Sequence, residues 1–256
     1  MRCAVEYDGT AFVGFQVQVH GRTVAGELER ALAGLFEEPV KITGAGRTDT
    51  GVHASGQVIS FITARSFPFE RLAIALNSSL PSDLSVRDAA LVGNGFSARF
   101  SALERTYVYG ILNATDRSAL LAHRAWHVYR RALDLDAMLE AASRLVGEHD
   151  FRSFCGVPPE NGITVRNVRC LTIEQRDDLV RIAISADGFV HRMVRTIVGT
   201  LVECGLHRRN PSSVAAILAA RDRNAAGRTA PAHGLYLAGV EYLDYDSFKE
   251  PPLFAR

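Results

Sequence analysis

Cysteine is scarce and scattered in this chain. Its four cysteines, Cys3, Cys155, Cys170 and Cys204, form no C-x-x-C pair. That excludes the usual structural zinc patterns and a disulfide framework, and buried, reduced thiols are expected instead. Long apolar runs are missing too. The longest candidate, "MVRTIVGTLVECGL", is interrupted by Arg195 and Glu203 and falls short of the roughly 18 clean apolar residues that suggest a membrane span. The first residues, "MRCAVEYDGT", lack the apolar core of a secretory signal and already have strand character. A cytoplasmic protein without a membrane partner is the expectation. Neither sign of charge dominates: 29 Lys and Arg stand against 28 Asp and Glu, so the sum identifies no partner.

What is present is ordinary in bulk and informative in pattern. With 256 residues, 47% hydrophobic and 22% charged, the chain has the composition of a globular protein with a substantial core in one or two domains. Arginines gather in "ARFSALERTY", "HRAWHVYRRAL", "HRMVRT", "LHRRN" and "ARDRNAAGR", and acids in "GELERALAGLFEEP". Such segregation can give a nearly neutral body a basic groove for a polyanion.

Periodicity predicts two rounds of mixed α and β segments. "RCAVEYD" reads as a strand, and residues 24–36 as a helix with Val24, Leu28, Ala31, Leu32 and Leu35 on one face. Strands are expected at "VKITGAG", "GQVISFIT", "LSVRDAALV" and "ERTYVYGIL", with a helix over 69–77. In the second round "DLDAMLEAASRLVGEHD" is expected to be helical, with Asp134 as N-cap and Gly147 near its end. "VRNVRCLTIEQ" and "LVRIAISADG" read as a hairpin, "HRMVRTIVGTLVECGL" and "SSVAAILAA" as helices, and "LYLAGVEYL" as a closing strand. An α+β protein of two halves, 1–113 and 114–256, follows.

The chemistry concentrates in "GAGRTDTGVHASGQV", which holds four glycines between Gly44 and Gly56. Asp49 stands where G-x-G-x-x-G needs its third glycine, and no G-K-S/T follows, so a nucleotide-phosphate cradle is unsupported. Asp49-Thr50-Gly51 spells the aspartic-protease triplet. That mechanism needs two carboxylates sharing a proton, and a positive charge two residues away, on Arg47, opposes such sharing. A charged aspartate can instead attack as a nucleophile, bind a cation or anchor its loop. Taken alone, an R-x-D loop reads as a structural ion pair.

Other segments change that balance. "VEYDGTAFVGFQVQ", "AGRTDTGVHASGQV", "NSSLPSDLSV", "FSARFSALERTYVYGI", "FVHRMVRTIVGTL" and "HGLYL" occur in this order, and together they resemble the TruA family of tRNA pseudouridine synthases over about residues 3–243. The R-T-D-x-G-V-H-x-x-G-Q-V block carries most of the specificity. The resemblance implies isomerisation of uridine to pseudouridine in the anticodon stem-loop of tRNA, by a homodimer that needs no cofactor or metal. It implies two α+β halves whose mostly antiparallel sheets form one extended sheet, with helices packed on it and the active cleft between the halves. By the same resemblance Asp49 is the catalytic carboxylate. Arg47 enters the RNA helix as the base leaves, Tyr107 stacks on the uracil, Arg195 pairs with the aspartate, and Leu235 lines an apolar pocket. Where the family often has "GWQRQ", this chain has "GFQVQ", with Phe15 and Val17, which puts an early RNA contact in question rather than the chemistry.

The reaction explains why such residues are wanted. The N1–C1′ bond breaks, the uracil turns, and it rejoins through C5. Extruding the base costs a few kcal/mol, and an aromatic face returns about 1–3 kcal/mol per stacked base. Alternation in "ERTYVYGIL" puts Arg105, Tyr107, Tyr109 and Ile111 on one side, so spacing leaves two tyrosines open and only the resemblance selects Tyr107. A carboxylate beneath a bound base loses water, and burial can raise a carboxyl pKa by up to about 3–5 units; a guanidinium counter-ion reverses that shift. Whether Asp49 adds to C6, attacks C1′ or removes the 2′ proton stays open, as does a binding-only RNA chaperone. His53 reads as structural.

Overall fold

The computed structural model describes residues 1–129 and 131–255; Arg130, in one of the basic clusters, and Arg256 lie outside the described residues. Five α-helices and eleven strands are found among the described residues, and the α+β class expected from periodicity holds. By its own contacts the chain divides into two units, Met1–Arg105 with Tyr236–Ala255, and Thr106–Leu235.

In the first unit β1 (Arg2–Tyr7) lies between β3 (His53–Phe61) and β4 (Leu84–Ala90), antiparallel to both. On the edge of β3 away from β1, β2 (Ile42–Gly44) pairs antiparallel and β10 (Leu235–Tyr242, whose first residue belongs to the second unit) pairs parallel, and β11 (Tyr245–Asp246) pairs with β10. All of β3, "HASGQVISF", is buried, its alternating polar residues His53, Ser55 and Gln57 included, so exposure does not alternate along it. Helix α1 (Val24–Phe36) is capped by the Thr23 hydroxyl, which accepts from the Gly26 N–H. It buries Val24, Ala25, Leu28, Leu32 and Phe36, a stripe at helical spacing. Each such large side chain contributes about 1.5–3 kcal/mol by leaving water. Helix α2 (Phe69–Asn77) packs on β4.

In the second unit the strand order is β5 (Glu104–Leu112, whose first two residues belong to the first unit), β9 (Leu179–Ala186), β8 (Val165–Arg176) and β7 (Gly147–Asp150). β6 (Trp126–His127) runs parallel to β5. The expected hairpin is present as β8–β9, turning with Arg176 opposite Leu179 and Asp177 at φ 51°. Helix α3 (Leu135–Ser143) begins where predicted, the Asp134 carboxylate accepting from the Ala137 N–H at 3.0 Å. It ends earlier than predicted. Gly147, at φ +105°, opens β7 and pairs with Val168 rather than closing the helix. Pairing to β8 outweighs the local helical preference of this stretch. Helices α4 (Met193–Gly205) and α5 (Ser213–Ala220) follow.

One cysteine departs from expectation. Cys3, Cys155 and Cys204 are buried, but Cys170 is exposed. The β8–β9 register shifts between Val168 and Cys170. Such a bulge moves later residues to the opposite face, so Val168 and Ile173 are buried while Cys170 faces out. No helix among the described residues is long and apolar enough to cross a membrane.

Candidate active site

Asp49 lies in the loop between β2 and β3, half-buried, in a turn closed by the Val52 N–H donating to the Asp49 carbonyl at 3.1 Å. Gly51 has φ +77° at the third position of that turn, where type II geometry favours glycine. Both sides of Asp49 are pinned. The carbonyl of Thr48 accepts from the Phe15 N–H at 3.1 Å, and the Thr48 hydroxyl lies 2.8 Å from the Tyr7 hydroxyl. Two residues further back, Gln57 holds Gly46 twice: its side-chain amide donates to the Gly46 carbonyl at 2.8 Å and accepts from the Gly46 N–H at 3.3 Å. On the far side the Val52 carbonyl fits against Gly9 so closely that a Cβ there would lie 2.1 Å away. The loop is therefore a fixed backbone frame, and the aspartate's position is set before any ligand arrives.

Tyr7, Thr48 and Gln57 are thus support residues to which sequence reasoning assigned no role. Gln57 is a fully buried amide, and such a group requires partners. Burial pushes the Tyr7 hydroxyl up to about 12, against the opposing bonds from Thr48 and Gln57. His53 is also structural in its surroundings. It is 1% exposed, its ring stacks on Tyr236 at 4.7 Å, and its Nδ1 accepts from the Gly9 N–H at 3.0 Å.

Arg47, on the same loop, is exposed. Phe15 is 3% exposed, and its ring occupies the space beside Gly44, where a Cβ would come within 2.5 Å. Its role in this chain is packing under the loop. Val17 is 45% exposed.

The remaining predicted residues belong to the second unit. Tyr107 on β5 is nearly buried, with the edge of Phe189 against it at 5.0 Å and 84°. Tyr109 is fully buried, donates to the Pro231 carbonyl at 2.8 Å, and meets Trp126 edge-on. Its hydroxyl therefore has a structural assignment. Leu235 is 6% exposed at the start of β10.

Arg195 is half-buried in the first turn of α4. Helical spacing in the sequence predicts a polar face on α4 through Arg192, Thr196, Gly199 and Glu203. Instead Thr196 and Gly199 are buried, because residues 227–230 lie along that face. The Gly227 N–H donates to the Thr200 hydroxyl and the Arg228 N–H to Glu203. A Cβ on Gly199 would lie 1.8 Å from the Arg228 carbonyl, so only glycine admits this approach. Ala230 completes the seam: its N–H donates to the Arg195 carbonyl at 2.9 Å, and its carbonyl accepts from Arg195 Nε at 2.8 Å. One edge of the guanidinium is thereby fixed, which lowers the entropy that a long side chain loses when it engages an anion. Among the described residues no cluster of three or more His, Cys, Asp or Glu is placed to hold a metal ion.

Comparison with known proteins points one way. The profile of a family described as tRNA pseudouridine synthase matches residues 3–101 and 141–243. The tRNA pseudouridine synthase A of Bacillus subtilis (strain 168) is 44% identical over 244 residues, spanning 94% of this chain and 98% of that protein. Its counterpart in Halalkalibacterium halodurans is 46% identical over 232 residues, 90% of this chain and 88% of that protein. The one in Brevibacillus brevis is 46% identical over 242 residues, covering 94% and 99%.

Proposed function

The chain belongs to the tRNA pseudouridine synthase family and is an isomerase that converts uridine to pseudouridine in tRNA, and we propose that Asp49 is its catalytic carboxylate and the anticodon stem-loop its target. The observation that carries the assignment of Asp49 is its frame. The loop is held at Gly46, Thr48 and Val52 by buried partners from three other segments. A carboxylate so mounted spends little reorganisation in meeting a base or sugar.

The reaction leaves the composition of the nucleoside unchanged. The N1–C1′ bond is exchanged for C5–C1′, the C5 proton departs to solvent, and N1 gains one. Asp49 supplies the negative oxygen that engages the uridine. Tyr107 offers a ring for the detached uracil, backed by Phe189. Arg195, anchored through Nε to the Ala230 carbonyl, is the basic partner of the aspartate. Arg47, exposed on the catalytic loop, enters the RNA helix behind the departing base, and Leu235 supplies apolar contact to the ring. The same family membership supports a homodimer working in the cytoplasm, without cofactor or metal.

The test is tritium release from tRNA labelled at C5 of uridine, with mapping of the pseudouridines formed. Wild type should release tritium and modify the anticodon stem-loop. Asp49→Ala should bind tRNA and release none. Turnover by Asp49→Ala would remove the aspartate from the mechanism, and binding without release by wild type would favour an RNA chaperone.

A further inference from the structure

The turn that precedes β5 carries a feature the proposed chemistry does not use. Phe100 is 81% exposed at its apex, and the guanidinium carbon of Arg99 lies 5.3 Å from the ring centroid. Burying a phenylalanine is worth about 1.5–3 kcal/mol, and this one forgoes most of that. Single exposed apolar residues are common and need no explanation. This one differs because the backbone beneath it is held from several directions.

Ala98, the floor of the turn, is fully buried. Its N–H donates to the Ser60 hydroxyl at 3.0 Å, and its carbonyl accepts from the Tyr242 hydroxyl at 2.7 Å. Ser97 and Ser101 close the turn, the Ser101 N–H donating to the Ser97 carbonyl and the Ser97 N–H to the Ser101 hydroxyl. Arg105 then ties this turn to the catalytic loop. Its guanidinium donates to the carbonyls of Arg99 and Ala102, and its Nε and Nη2 donate to the Ala45 carbonyl at 3.4 and 3.3 Å. Ala45 begins the segment that ends in Asp49. Aromatic ring, cation and catalytic loop thus share one frame within the first unit.

We propose that Arg99 and Phe100 form a stacking platform for an unpaired nucleobase of the tRNA substrate, separate from the residue that receives the reacting uracil. This rests on the tRNA-modifying reading above. A rigid exposed ring gives a base a flat surface at little entropic cost, and the neighbouring guanidinium can stack or meet the phosphate that accompanies every base. The cation decides against an apolar contact with a second copy of this chain, since burying it there without an acid partner carries a desolvation cost.

The experiment uses Phe100→Trp. The chain has one tryptophan, Trp126, which is 6% exposed and covered by Arg228 at 4.6 Å, so emission from position 100 is separable. Titration with unmodified tRNA in the Asp49→Ala background should quench the new emission at the concentration that saturates binding. In otherwise wild-type enzyme, Phe100→Ala and Phe100→Leu should raise KM for tRNA roughly tenfold, within about 5- to 150-fold for one lost stack, with kcat little changed, and Phe100→Trp should restore KM. Arg99→Ala should reduce the salt dependence of binding by about one phosphate contact. Unchanged emission at saturating tRNA would overturn the platform, as would Phe100→Leu matching wild type or a change in oligomer size on sedimentation. Tritium release by wild type reports on the underlying enzymatic reading separately. Release without quenching sinks the platform alone, and quenching without release sinks only the chemistry.

Discussion

The hydroxyl of Tyr7 has one structural task, so Tyr7→Phe is a narrow probe of how the loop that carries Asp49 is held. The substitution removes the 2.8 Å bond to Thr48 and a long 3.5 Å contact from Gln57. It leaves Gln57 satisfied by Gly46 and keeps the ring against Phe12 at 6.3 Å. What remains is a hydroxyl without its partner on Thr48, a residue only 7% exposed. Leaving a buried polar group unpaired costs about 1–3 kcal/mol, and the residual exposure of Thr48 places the expected loss near 1–2 kcal/mol. At this chain length that corresponds to a fall of about 2–8 °C in Tm. Tyr7 and Thr48 are both buried, so tRNA affinity should not move. The loop that carries Asp49 loses a tether, and kcat should fall about three- to tenfold, well short of the roughly 100-fold that a full ångström of misplacement can cost. Thr48→Val should act similarly, and the double variant should cost less than the sum, because both removals break the same bond. Thermal melts and single-turnover tritium release on the four proteins complete the cycle. A kcat equal to wild type in both single variants would refute the claim that this bond positions the aspartate, and a loss of tRNA affinity with kcat intact would assign it to binding instead.

Other substitutions probe the second unit and the ends of the pH range. Arg195→Lys keeps a charge but loses the planar fork and the Nε bond to Ala230; kcat should drop at least tenfold by single-turnover assay while far-UV circular dichroism stays native. Gly199→Ala would place a methyl 1.8 Å from the Arg228 carbonyl, so the 227–230 segment must lift from α4. A stability loss of about 1–3 kcal/mol or more in urea titration is expected, with activity falling alongside because Ala230 anchors Arg195. For alkaline pH, burial raises Cys3 from 9.0, and Tyr7 and Tyr245 from 10.0, each to about 12. The folded state therefore favours the protonated forms. Their contribution is complete below pH 9 and is lost as pH rises toward 12. Urea midpoints measured across that window should decline with pH, and Tyr7→Phe should flatten the decline.

The parts of the fold that periodicity revealed are those whose partners lie nearby in sequence. Helix α1 matched its predicted span because cap, apolar stripe and end all sit within Thr23–Glu37. The β8–β9 hairpin was legible for the same reason. The misreadings came from distant partners. Gly147 reads as a helix terminus until β8 offers it a ladder, and Cys170 reads as buried until a register shift turns it outward. The face of α4 shows how far this can go. Its sequence is amphipathic, yet residues 227–230 cover the polar side, and a glycine that looked like part of an exposed face proves to be the close-approach point.

The candidate site divides along the same line. Asp49 was readable as a candidate because its loop motif is continuous, and so was Arg195, because its helix motif is. The residues that fix their geometry were not. Tyr7, Gln57 and Ala230 act through bonds across 41, 11 and 35 positions of sequence, and nothing in their own neighbourhoods marks the partner. An Asp-Thr-Gly triplet is consistent with several chemistries for that reason. The triplet specifies a turn and a carboxylate, and the distant tethers decide what that carboxylate can be held against. A loop pinned at Gly46, Thr48 and Val52 holds one aspartate in place without a second. A dyad that shares a proton needs two, and an isomerase needs only one.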